Sequence, residues 1–366
     1  MSDIEVIATP DAVTLARFDM IIDVRSPSEF AEDHVPGAVS MPVLDDEERA
    51  KVGTIYVQDS RFKARRIGAA LVARNVARRL ETDLADKTGS FQPLIYCWRG
   101  GQRSNAMATI LAQVGWRTAV LAGGYRTYRR QVKTRLYDER RALDLILIDG
   151  HTGSAKTEIL GRLAARGVQI LDLEGLALHR GSLLGALPGR PQPSQKMFES
   201  RLLVALEALE PGRPILVEAE SSKIGERMIP PMLWDAMVRA PRITLEVPAA
   251  ERALYLARGY VDSAKDAGAL AALLARLPGP HGRKTIGIWQ GMAEAGELEA
   301  LSAALIEAHY DPAYARANRS ETRRRLGTVG LEGLSETDQE AAADQVAALV
   351  SAYQPSEAPP SERGGA

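Results

Sequence analysis

Short apolar runs alternate with helical stretches along much of the chain, and this alternation limits the fold more than any other feature. Three compact apolar runs span residues 20–24, 93–97 and 117–124, and the stretch between the second and third has apolar residues at helical spacing. Strand, loop, helix and strand in succession predict a parallel sheet that is covered by helices. The predicted fold class is therefore α/β.

A second series of apolar runs starts at "LDLILIDG", and from about residue 251 onward the pattern is mostly helical. A chain of 366 residues is long for a single core, so we expect two domains. The first is predicted to be a parallel-sheet domain over residues 1–137. The second is a P-loop parallel-sheet domain with a helical C-terminal region over 138–353, followed by a disordered tail over 354–366.

The composition excludes several classes of protein. A single cysteine rules out an intramolecular disulfide and a multi-cysteine zinc site, and no apolar run approaches the roughly 20 residues that span a bilayer. The first residues show no basic start followed by an apolar core. We therefore expect a soluble cytoplasmic protein that contacts no membrane. We also expect it to be a monomer.

The formal net charge of −1 conceals two basic segments. Residues 61–79 contain seven basic side chains and no acidic one, and residues 126–141 contain seven more against Asp138 and Glu139. Such clusters either form an electrostatic footprint for a phosphate backbone or are solvated helix faces. The basic members of the second segment are Arg126, Arg129, Arg130, Lys133, Arg135, Arg140 and Arg141.

The only cysteine, Cys97, lies in the glycine-rich stretch "YCWRGGQRS", between a predicted buried strand and a predicted helix. Backbone N–H groups and a helix N-terminus converge at such a turn, which lowers the pKa of a thiol and can hold an anion beside it. Gly100 and Gly101 permit a tight turn, and Arg99 and Arg103 add positive charge. We predict that Cys97 is a reactive thiol and not an inert buried side chain.

The stretches around this loop resemble the rhodanese family. "DVRSPSEFAEDHVPGAV" (23–39) is similar to the family's upstream signature and "LAGGY" (121–125) to its closing segment, so the resemblance covers about residues 5–130. It implies that residues 1–137 form a rhodanese-like domain and that the loop cysteine carries sulfur or selenium. Five residues separate Cys97 from Arg103, whereas common sulfurtransferases have four, and the wider loop is similar to that of rhodanese-fold phosphatases. A phosphatase therefore stays open as an alternative.

The stretch "LILIDGHTGSAKTEIL" combines a strand, a glycine turn and the start of a helix. It reads G-x-x-x-x-A-K-T against the P-loop pattern G-x-x-x-x-G-K-[ST], with Ala155 in place of the last glycine. The lysine would lie between phosphates and the threonine hydroxyl would reach a magnesium ion. The alternative is a glycine-rich turn with an incidental lysine. The predicted diphosphate-binding residues are Gly150, Gly153, Ser154, Lys156 and Thr157.

Glu218 and Glu220 end the predicted strand "ILVEAE" and are candidates for the acid on the metal side of this loop. Either can hold Mg²⁺ through water, or both are polar residues at a strand tip. Mg²⁺ is the one candidate cofactor, and the sequence predicts no definite metal site. Because no adenine-specific pattern is visible, the loop is predicted to bind a di- or triphosphate, with ATP and geranyl diphosphate both open.

The two loops, together with four later motifs, resemble the tRNA 2-selenouridine synthase family in content and order, up to about residue 318. The later motifs are "HRGSLLG", "QPSQKMFE", "VEAESSKIG" and "HYDPAY". The resemblance implies a transferase that converts wobble 2-thiouridine to 2-selenouridine in the tRNAs for Lys, Glu and Gln. It implies an S-geranyl-2-thiouridine intermediate, geranyl diphosphate and selenophosphate as substrates, and a selenophosphate-supplying enzyme as a candidate partner.

The same resemblance gives roles to the loop residues. Cys97 is the catalytic thiol that handles selenium, and Trp98 beside it is a candidate for stacking on an unpaired anticodon base. The alternatives are a rhodanese-type sulfurtransferase or a phosphatase with an appended nucleotide-binding domain, and a non-catalytic selenium or sulfur carrier. The residues assigned to the selenophosphate anion are Arg99, Gly100, Gly101 and Arg103.

Overall fold

The computed structural model describes residues 4–182, 185–187, 189–264, 267–277, 281–317 and 322–354. It divides into two compact units, Met1–Glu139 with Pro193–Glu207, and Arg140–Gln192 with Ala208–Ala366. The sequence-based division assigned all of 138–353 to the second domain, whereas Pro193–Glu207 lies with the first unit. Apart from Gln354, the predicted tail lies outside the described residues.

The first unit is built on a five-stranded parallel sheet. Its strands are β1 (Glu5–Ile7), β2 (Met20–Asp23), β3 (Val39–Ser40), β4 (Pro93–Tyr96) and β5 (Ala119–Leu121). The strand order is β1-β5-β4-β2-β3, and every pairing is parallel. β4 lies at the centre and is buried along its whole length, which is why its sequence is a continuous apolar run. The chain leaves this strand directly into Cys97.

Helices cover this sheet. The described helices are α1 (Ala12–Leu15), α2 (Pro27–Glu32), α3 (Asp46–Gln58), α4 (Arg61–Glu81), α5 (Gln102–Val114) and α6 (Tyr125–Lys133), which continues into a π-helical segment, Thr134–Asp138. In α4, Ala64, Gly68, Val72 and Val76 are buried at helical spacing. Most arginines of this helix therefore lie on its solvent-exposed side.

The second unit contains another five-stranded parallel sheet. Its strands are β6 (Leu145–Gly150), β7 (Ile170–Leu171), β8 (Ile215–Glu218), β11 (Arg242–Glu246) and β12 (Arg325–Gly330), and a separate antiparallel pair consists of β9 (Lys223–Ile224) and β10 (Arg227–Met228). The order β12-β11-β6-β8-β7 places β6 at the centre. The edge strand β12 interrupts the stretch that the sequence pattern describes as mostly helical.

The remaining helices follow in chain order. They are α7 (Lys156–Ala165), α8 (Leu173–Ala177), α9 (Gln195–Glu207), α10 (Pro231–Arg239), α11 (Ala249–Ala264), α12 (Ala267–Leu274), α13 (Arg283–Ala295), α14 (Leu298–Leu305), α15 (Asp311–Ala317) and α16 (Glu336–Ala352), with a π-helical segment at Ile306–Tyr310. Side chains of α7 and α16 share one core with the second sheet. A separate core joins α11, α12, α13 and α14, which form the helical C-terminal region.

One of these helices, α9, belongs to the first unit. The carboxylate of Glu199 accepts hydrogen bonds from the Arg129 guanidinium and, at 2.7 Å, from the Tyr137 hydroxyl. These contacts join α9 to α6 and to the π-helical segment that follows it. None of the helices in the described ranges is both long enough and apolar enough to cross a membrane.

Candidate active site

The thiol of Cys97 lies in the turn between β4 and α5. Its sulfur accepts hydrogen bonds from the Gly101 backbone N–H, at 3.3 Å, and from the Ser104 hydroxyl, at 3.2 Å. The cysteine is only 3% exposed. Ser104 is a functional candidate that the sequence reasoning missed, although it lies one helical turn after Gly101 and is therefore able to point back at the sulfur.

The pKa of Cys97 lies below its ordinary value. Burial by itself raises the pKa of a thiol, because the thiolate loses its hydration. Hydrogen bonds from Ser104 and from the backbone of the turn outweigh this effect, since each of them stabilises the thiolate. The turn is thus arranged to favour the nucleophilic form of the sulfur.

The first residues of α6 and the glycine before them pack against this turn. The Cys97 carbonyl accepts the backbone N–H of Tyr125 at 2.8 Å, and the Trp98 carbonyl accepts that of Arg126 at 3.2 Å. Gly124 has a φ of 61°, and a Cβ there would lie 2.1 Å from the Cys97 carbonyl oxygen. Gly100 also has a positive φ, 63°, and a Cβ on it would lie 2.8 Å from the Gly123 nitrogen. The two backbone segments approach too closely for any side chain.

The two arginines of the loop have different surroundings. Arg99 is exposed. The Arg103 guanidinium donates to the Glu29 carboxylate at 2.8 Å, and Arg49 contacts the same carboxylate at 3.0 Å. Burial acts to raise the pKa of Glu29, but Arg103 and its other partners outweigh burial and lower the pKa. Arg103 is therefore held in place by an ionised partner, and the anion-binding role of both arginines stays a prediction.

A buried ion pair supports the loop from the sheet side. Arg25, 1% exposed, forms an ion pair with Asp23 at 2.6 Å and donates to the Asp33 carbonyl oxygen at 2.6 Å. Its guanidinium lies 4.0 Å from the centre of the Tyr125 ring, and Tyr125 donates its hydroxyl hydrogen to Asp33 at 2.6 Å. Asp23 and Arg25 are part of the stretch that resembles the rhodanese signature, and the structure shows that they position the aromatic ring behind the thiol loop.

Gly150 ends β6 and Gly153 lies between β6 and α7, as the pattern predicts. Gly153 has a φ of 87°, and a Cβ there would lie 2.9 Å from Cγ of Leu256 and 3.0 Å from the Arg252 carbonyl oxygen on α11. A Cβ at Gly150 would lie 2.6 Å from the Ser154 hydroxyl, which donates to the His151 carbonyl oxygen at 2.8 Å. Both glycines are required by close approach, and Ser154 closes the turn.

Ala155 and Lys156 form the junction of this loop with α7. Ala155 precedes the helix with a φ of 53° and a ψ of 33°, a left-handed conformation that costs a non-glycine residue about 1–2 kcal/mol. The sequence pattern places a glycine here, and the backbone retains the conformation that glycine favours. The Lys156 ammonium donates to the carbonyl oxygens of Gly150, at 2.8 Å, and His151, at 3.5 Å. The lysine therefore already lies over the loop backbone.

An acidic pair adjoins the start of α7. The Thr157 hydroxyl donates to Glu174 of α8 at 2.7 Å. Glu174 and Glu220 share a hydrogen bond, and burial together with the Glu174 charge raises the pKa of Glu220 to about 8. Gly181 backs this pair, since a Cβ there would lie 2.4 Å from Glu174 and 2.5 Å from Glu220. Glu174 was missed by the sequence reasoning, although it follows the strand β7 of the same sheet.

Glu218, the other acidic candidate, has a different environment. It is fully buried and accepts the Leu173 backbone N–H at 3.1 Å. Burial, with nearby Asp172 and Glu174, raises its pKa well above the ordinary value. Of the two predicted acids, it is therefore Glu220 whose carboxyl group contacts Glu174, the residue that accepts the hydrogen bond from Thr157.

The "HYDPAY" motif braces the P-loop from the side of α15. Asp311 accepts two hydrogen bonds from the Arg252 guanidinium, each 2.8 Å, and a ring nitrogen of His151 lies 2.8 Å from its Oδ1. Arg252 also donates to the Thr152 carbonyl oxygen at 3.3 Å. The Tyr314 hydroxyl donates to Asp149 at 3.0 Å, directly before the loop. The motif is thus a support of the P-loop, more than 150 residues away in sequence.

Two family models match separate parts of the chain. Residues 9–131 match the model of the rhodanese-like domain, and residues 143–272 match that of the tRNA 2-selenouridine synthase AAA domain. A protein from Shewanella denitrificans named tRNA 2-selenouridine synthase is 34% identical over 270 residues, which are 73% of this chain and 71% of that protein. The chain belongs to the tRNA 2-selenouridine synthase family.

Two further relatives carry the same name. The protein from Aeromonas salmonicida is 38% identical over 66% of this chain and 64% of its own length, and the protein from Nitrosomonas europaea is 35% identical over 66% and 63%. The chain thus spans less than two thirds of the length of these two members of the tRNA 2-selenouridine synthase family.

In this tRNA 2-selenouridine synthase family member, three of the later motifs meet around one glutamine. The Gln192 amide donates to the carbonyl oxygens of Ala177 and Ile224, each at 3.1 Å, and its oxygen accepts the Glu226 N–H at 2.8 Å. A Cβ at Gly225 would lie 2.7 Å from the His179 ring. "HRGSLLG" and "VEAESSKIG" are therefore packed together in the second unit, with residues 183 and 184 of the former outside the described residues.

The oxygen groups around Thr157 fit magnesium. In the part of the chain that the structure describes, no three His, Cys, Asp or Glu side chains form a group that could hold a metal ion. Thr157, Glu174 and Glu220 nevertheless provide oxygen donors beside the P-loop lysine. Mg²⁺ prefers oxygen ligands, keeps several waters and binds together with substrate phosphates, so it requires no dedicated cage of protein ligands.

Proposed function

We propose that the chain is a tRNA-modifying transferase that converts wobble 2-thiouridine to 2-selenouridine by way of S-geranyl-2-thiouridine. Geranyl diphosphate and selenophosphate are the proposed substrates, and the tRNAs for Lys, Glu and Gln the proposed acceptors. The proposal is supported by family membership and by the name that the relatives carry. It is also supported by the chemistry of the two loops.

The observation that carries the proposal is the pairing of two different loops on one chain. One presents a thiol whose pKa is lowered, and the other presents a lysine and a hydroxyl beside an acidic pair. A thiolate suits attack on the phosphorus of a selenium donor, and a P-loop suits departure of a diphosphate. The conversion of a thiocarbonyl to a selenocarbonyl through an alkylated intermediate needs both.

In the first step, the thiocarbonyl sulfur attacks C1 of geranyl diphosphate. The C1–O bond breaks, its electron pair leaves with diphosphate, and the nucleoside loses one proton from its ring nitrogen to become neutral. Lys156 and the N–H groups of the P-loop stabilise the negative charge that develops on diphosphate. Bound Mg²⁺, held by Thr157, Glu174 and Glu220 through water, would supply further stabilisation of that charge.

In the second step, selenium replaces the geranylthio group at C2. The Cys97 thiolate attacks the phosphorus of selenophosphate, the Se–P bond breaks with its electron pair on selenium, and water later removes the phosphoryl group from sulfur. The selenide adds to C2 and geranylthiolate leaves, so no oxidant or reductant is consumed. The five-residue spacing from Cys97 to Arg103, which is similar to that in phosphatases, suits a phosphoryl group on the sulfur.

Two single variants test the assignment of one step to each loop. The wild-type chain and each variant are given 2-thiouridine-containing tRNA, geranyl diphosphate and selenophosphate, and the digested nucleosides are identified by mass spectrometry. Cys97→Ser should accumulate the S-geranyl nucleoside without 2-selenouridine, because only the selenium step needs the thiol. Lys156→Ala should lower geranylation by about 100-fold or more, because it removes the charge that stabilises diphosphate.

The controls separate the two steps. Lys156→Ala given pre-geranylated tRNA should install selenium at the wild-type rate, and Lys284→Ala, which removes an exposed lysine on α13, should behave as wild type in both steps. Normal 2-selenouridine formation by Cys97→Ser would disprove the role of the thiol. Absence of any product from the wild-type chain would favour the phosphatase alternative, which release of phosphate from phosphate monoesters would then test.

A further inference from the structure

A basic cleft lies beside the thiol loop, within the first compact unit. It has a volume of about 390 Å³, in the range of small-molecule pockets. Its lining includes Trp98, Tyr125, Arg126, Arg130 and Lys133, together with one acidic residue, Asp138. Trp98 is the residue directly after Cys97, so one wall of the cleft begins at the reactive loop.

Three basic side chains of this cleft have no ion-pair or hydrogen-bond partner in the described part of the chain. Arg126, Arg130 and Lys133 are exposed and follow one another at helical spacing along α6. Two other bases in the lining are neutralised, since Arg129 pairs with Glu199 and Lys196 with Glu32. The structure thus keeps a row of three unpaired positive charges along one helix face, next to the reactive loop.

The aromatic wall of the cleft is held rigidly. The Trp98 and Tyr125 rings stack with centroids 5.2 Å apart and planes inclined by 29°. Tyr125 is fixed by its hydrogen bond to Asp33 and by the Arg25 guanidinium below it. Trp98 is partly exposed, so the outer aromatic side chain of the stack is available to a ligand.

A row of unpaired bases beside an exposed aromatic face is the arrangement that binds single-stranded nucleic acid. The basic side chains contact the phosphates along the strand, and a nucleobase stacks on the aromatic ring. An inorganic anion would contact the basic side chains alone, and an acidic peptide would leave the exposed aromatic face without a stacked ring. The combination therefore favours an RNA strand with an unpaired base over either of these.

We propose that this cleft binds the unpaired anticodon-loop strand of the RNA substrate, with its phosphates on Arg126, Arg130 and Lys133 and a base on Trp98. The inference rests on the proposed function for the identity of the RNA. It adds a docking surface that delivers the target nucleoside to the Cys97 loop. The three bases and Trp98 are binding and positioning residues, because none of them contacts the Cys97 sulfur.

The test compares two triple variants of the full chain that lose the same charge. Arg126→Gln/Arg130→Gln/Lys133→Gln removes the bases of the cleft. The matched control removes three exposed arginines of α4 in the same unit, Arg65→Gln/Arg66→Gln/Arg74→Gln. The probe is a fluorescent stem-loop RNA with 2-thiouridine in its loop, and the readout is the dissociation constant as a function of salt concentration.

The cleft variant should bind this RNA about tenfold or more weakly near 0.15 M salt, and its salt slope should fall by about two, as expected for three lost contacts to a single strand. The α4 control should change the dissociation constant less than twofold. Equal losses in both variants, or none in the cleft variant, would overturn the proposal. So would equally tight binding of polyglutamate or of a fully paired duplex.

Trp98 provides a second measurement. RNA binding should quench tryptophan fluorescence in the wild-type chain and not in Trp98→Phe, which retains an aromatic face. Trp98→Ala should weaken RNA binding about tenfold, in the range found for loss of one stacked base. Quenching that persists in Trp98→Phe would show that the base lies elsewhere and would contradict the proposal.

Failure of this inference can be told from failure of the proposed function. If the wild-type chain forms 2-selenouridine and the cleft variant does so with an unchanged KM for tRNA, the cleft is not the docking surface and the function stands. If RNA binds in the cleft by both measurements but no selenium or geranyl product forms, the docking surface stands and the proposed reaction is wrong.

Discussion

The thiol loop and the P-loop occupy the same place in two similar sheets. Each follows the central strand of a five-stranded parallel sheet, β4 in one unit and β6 in the other, and each leads into a helix. Ligands of parallel α/β sheets bind at the carboxyl ends of the strands. The shared location explains why both loops carry chemistry, but it does not explain what each loop does.

The difference lies in the groups around each turn. Hydrogen-bond donors converge on the Cys97 sulfur, which lowers the pKa of the thiol. At the P-loop, burial and the Glu174 charge raise the pKa of Glu220, close to the positive charge of Lys156. The thiol loop favours a negative charge on Cys97. Beside the P-loop, Glu220 keeps a proton, which a metal ion would displace on binding. The same position after the central strand of a parallel sheet therefore supports opposite electrostatics.

Close backbone approach is the strongest requirement of the thiol loop, and Gly124→Ala tests it. The new methyl group would lie 2.1 Å from the Cys97 carbonyl oxygen and 2.5 Å from the Gly100 nitrogen, at a φ of 61°. We expect the free energy of unfolding of the first unit to fall by about 3 kcal/mol or more. Pulsed alkylation of the single cysteine at increasing urea concentration measures this, because the buried thiol reacts when the unit opens.

Gly101→Ala is the matched control for this prediction. Gly101 lies in the same turn, but its φ is −104° and a Cβ there would have no heavy atom within 4 Å. Its effect should stay below about 1 kcal/mol. If the two variants expose Cys97 at the same urea concentration, the contact between the two loop segments does not hold the turn.

The contrast also shows what a sequence can predict. Both central strands are continuous apolar runs because both faces of each sheet are covered, so the fold class and both loops follow from the pattern. Ser104 and Glu174 were missed because a serine in a helix and a glutamate after a strand are common, and only the folded chain brings them to Sγ and to Thr157. The support of the P-loop by Asp311 depends on contacts across more than 150 residues, which no local pattern encodes.

Two elements of the fold were hidden for related reasons. The strand β12 has the sequence "RLGTVG", whose two glycines weaken a strand pattern. The helix α9 follows a stretch of the second unit in sequence but joins the first unit through Glu199. Membership of a unit is decided by such tertiary contacts, and a helical pattern carries no information about them.

Glu220→Gln tests the electrostatics of the P-loop side. In the unfolded chain the carboxyl group ionises near its ordinary pKa of 4.5, whereas in the folded chain its pKa is about 8. The folded state therefore binds one more proton between these values, and stability falls as pH rises, by up to about 1.4 kcal/mol per pH unit. Glutamine cannot ionise, so the variant should lose this slope between pH 5.5 and 7.5.

The measurement for this prediction is urea unfolding followed by tryptophan fluorescence at several pH values. Glu294→Gln, on the exposed face of α13, is the control and should keep the slope of the wild-type chain. Parallel pH profiles for Glu220→Gln and the wild-type chain would show that Glu220 is ionised in the folded state. The proposed opposition between the two loops would then be wrong.

Ser104→Ala tests the thiol side, where we expect the smallest effect. The hydroxyl donates to the sulfur at 3.2 Å, and a hydrogen bond to a charged group contributes about 1.5–3 kcal/mol. With the Gly101 N–H still in place to compensate in part, the pKa of Cys97 should rise by less than the full contribution of that hydrogen bond. The ultraviolet absorbance of the thiolate as a function of pH, taken as the difference from Cys97→Ser, reports this directly, since the chain has one cysteine. Thr109→Ala removes a hydroxyl from the same helix that donates to the Asn105 carbonyl oxygen, and it should leave the profile unchanged. An unchanged profile in Ser104→Ala as well would mean that backbone N–H groups alone stabilise the thiolate. Both loops would then depend on their backbone geometry, and the P-loop would differ by the carboxyl groups of Glu174 and Glu220 beside it.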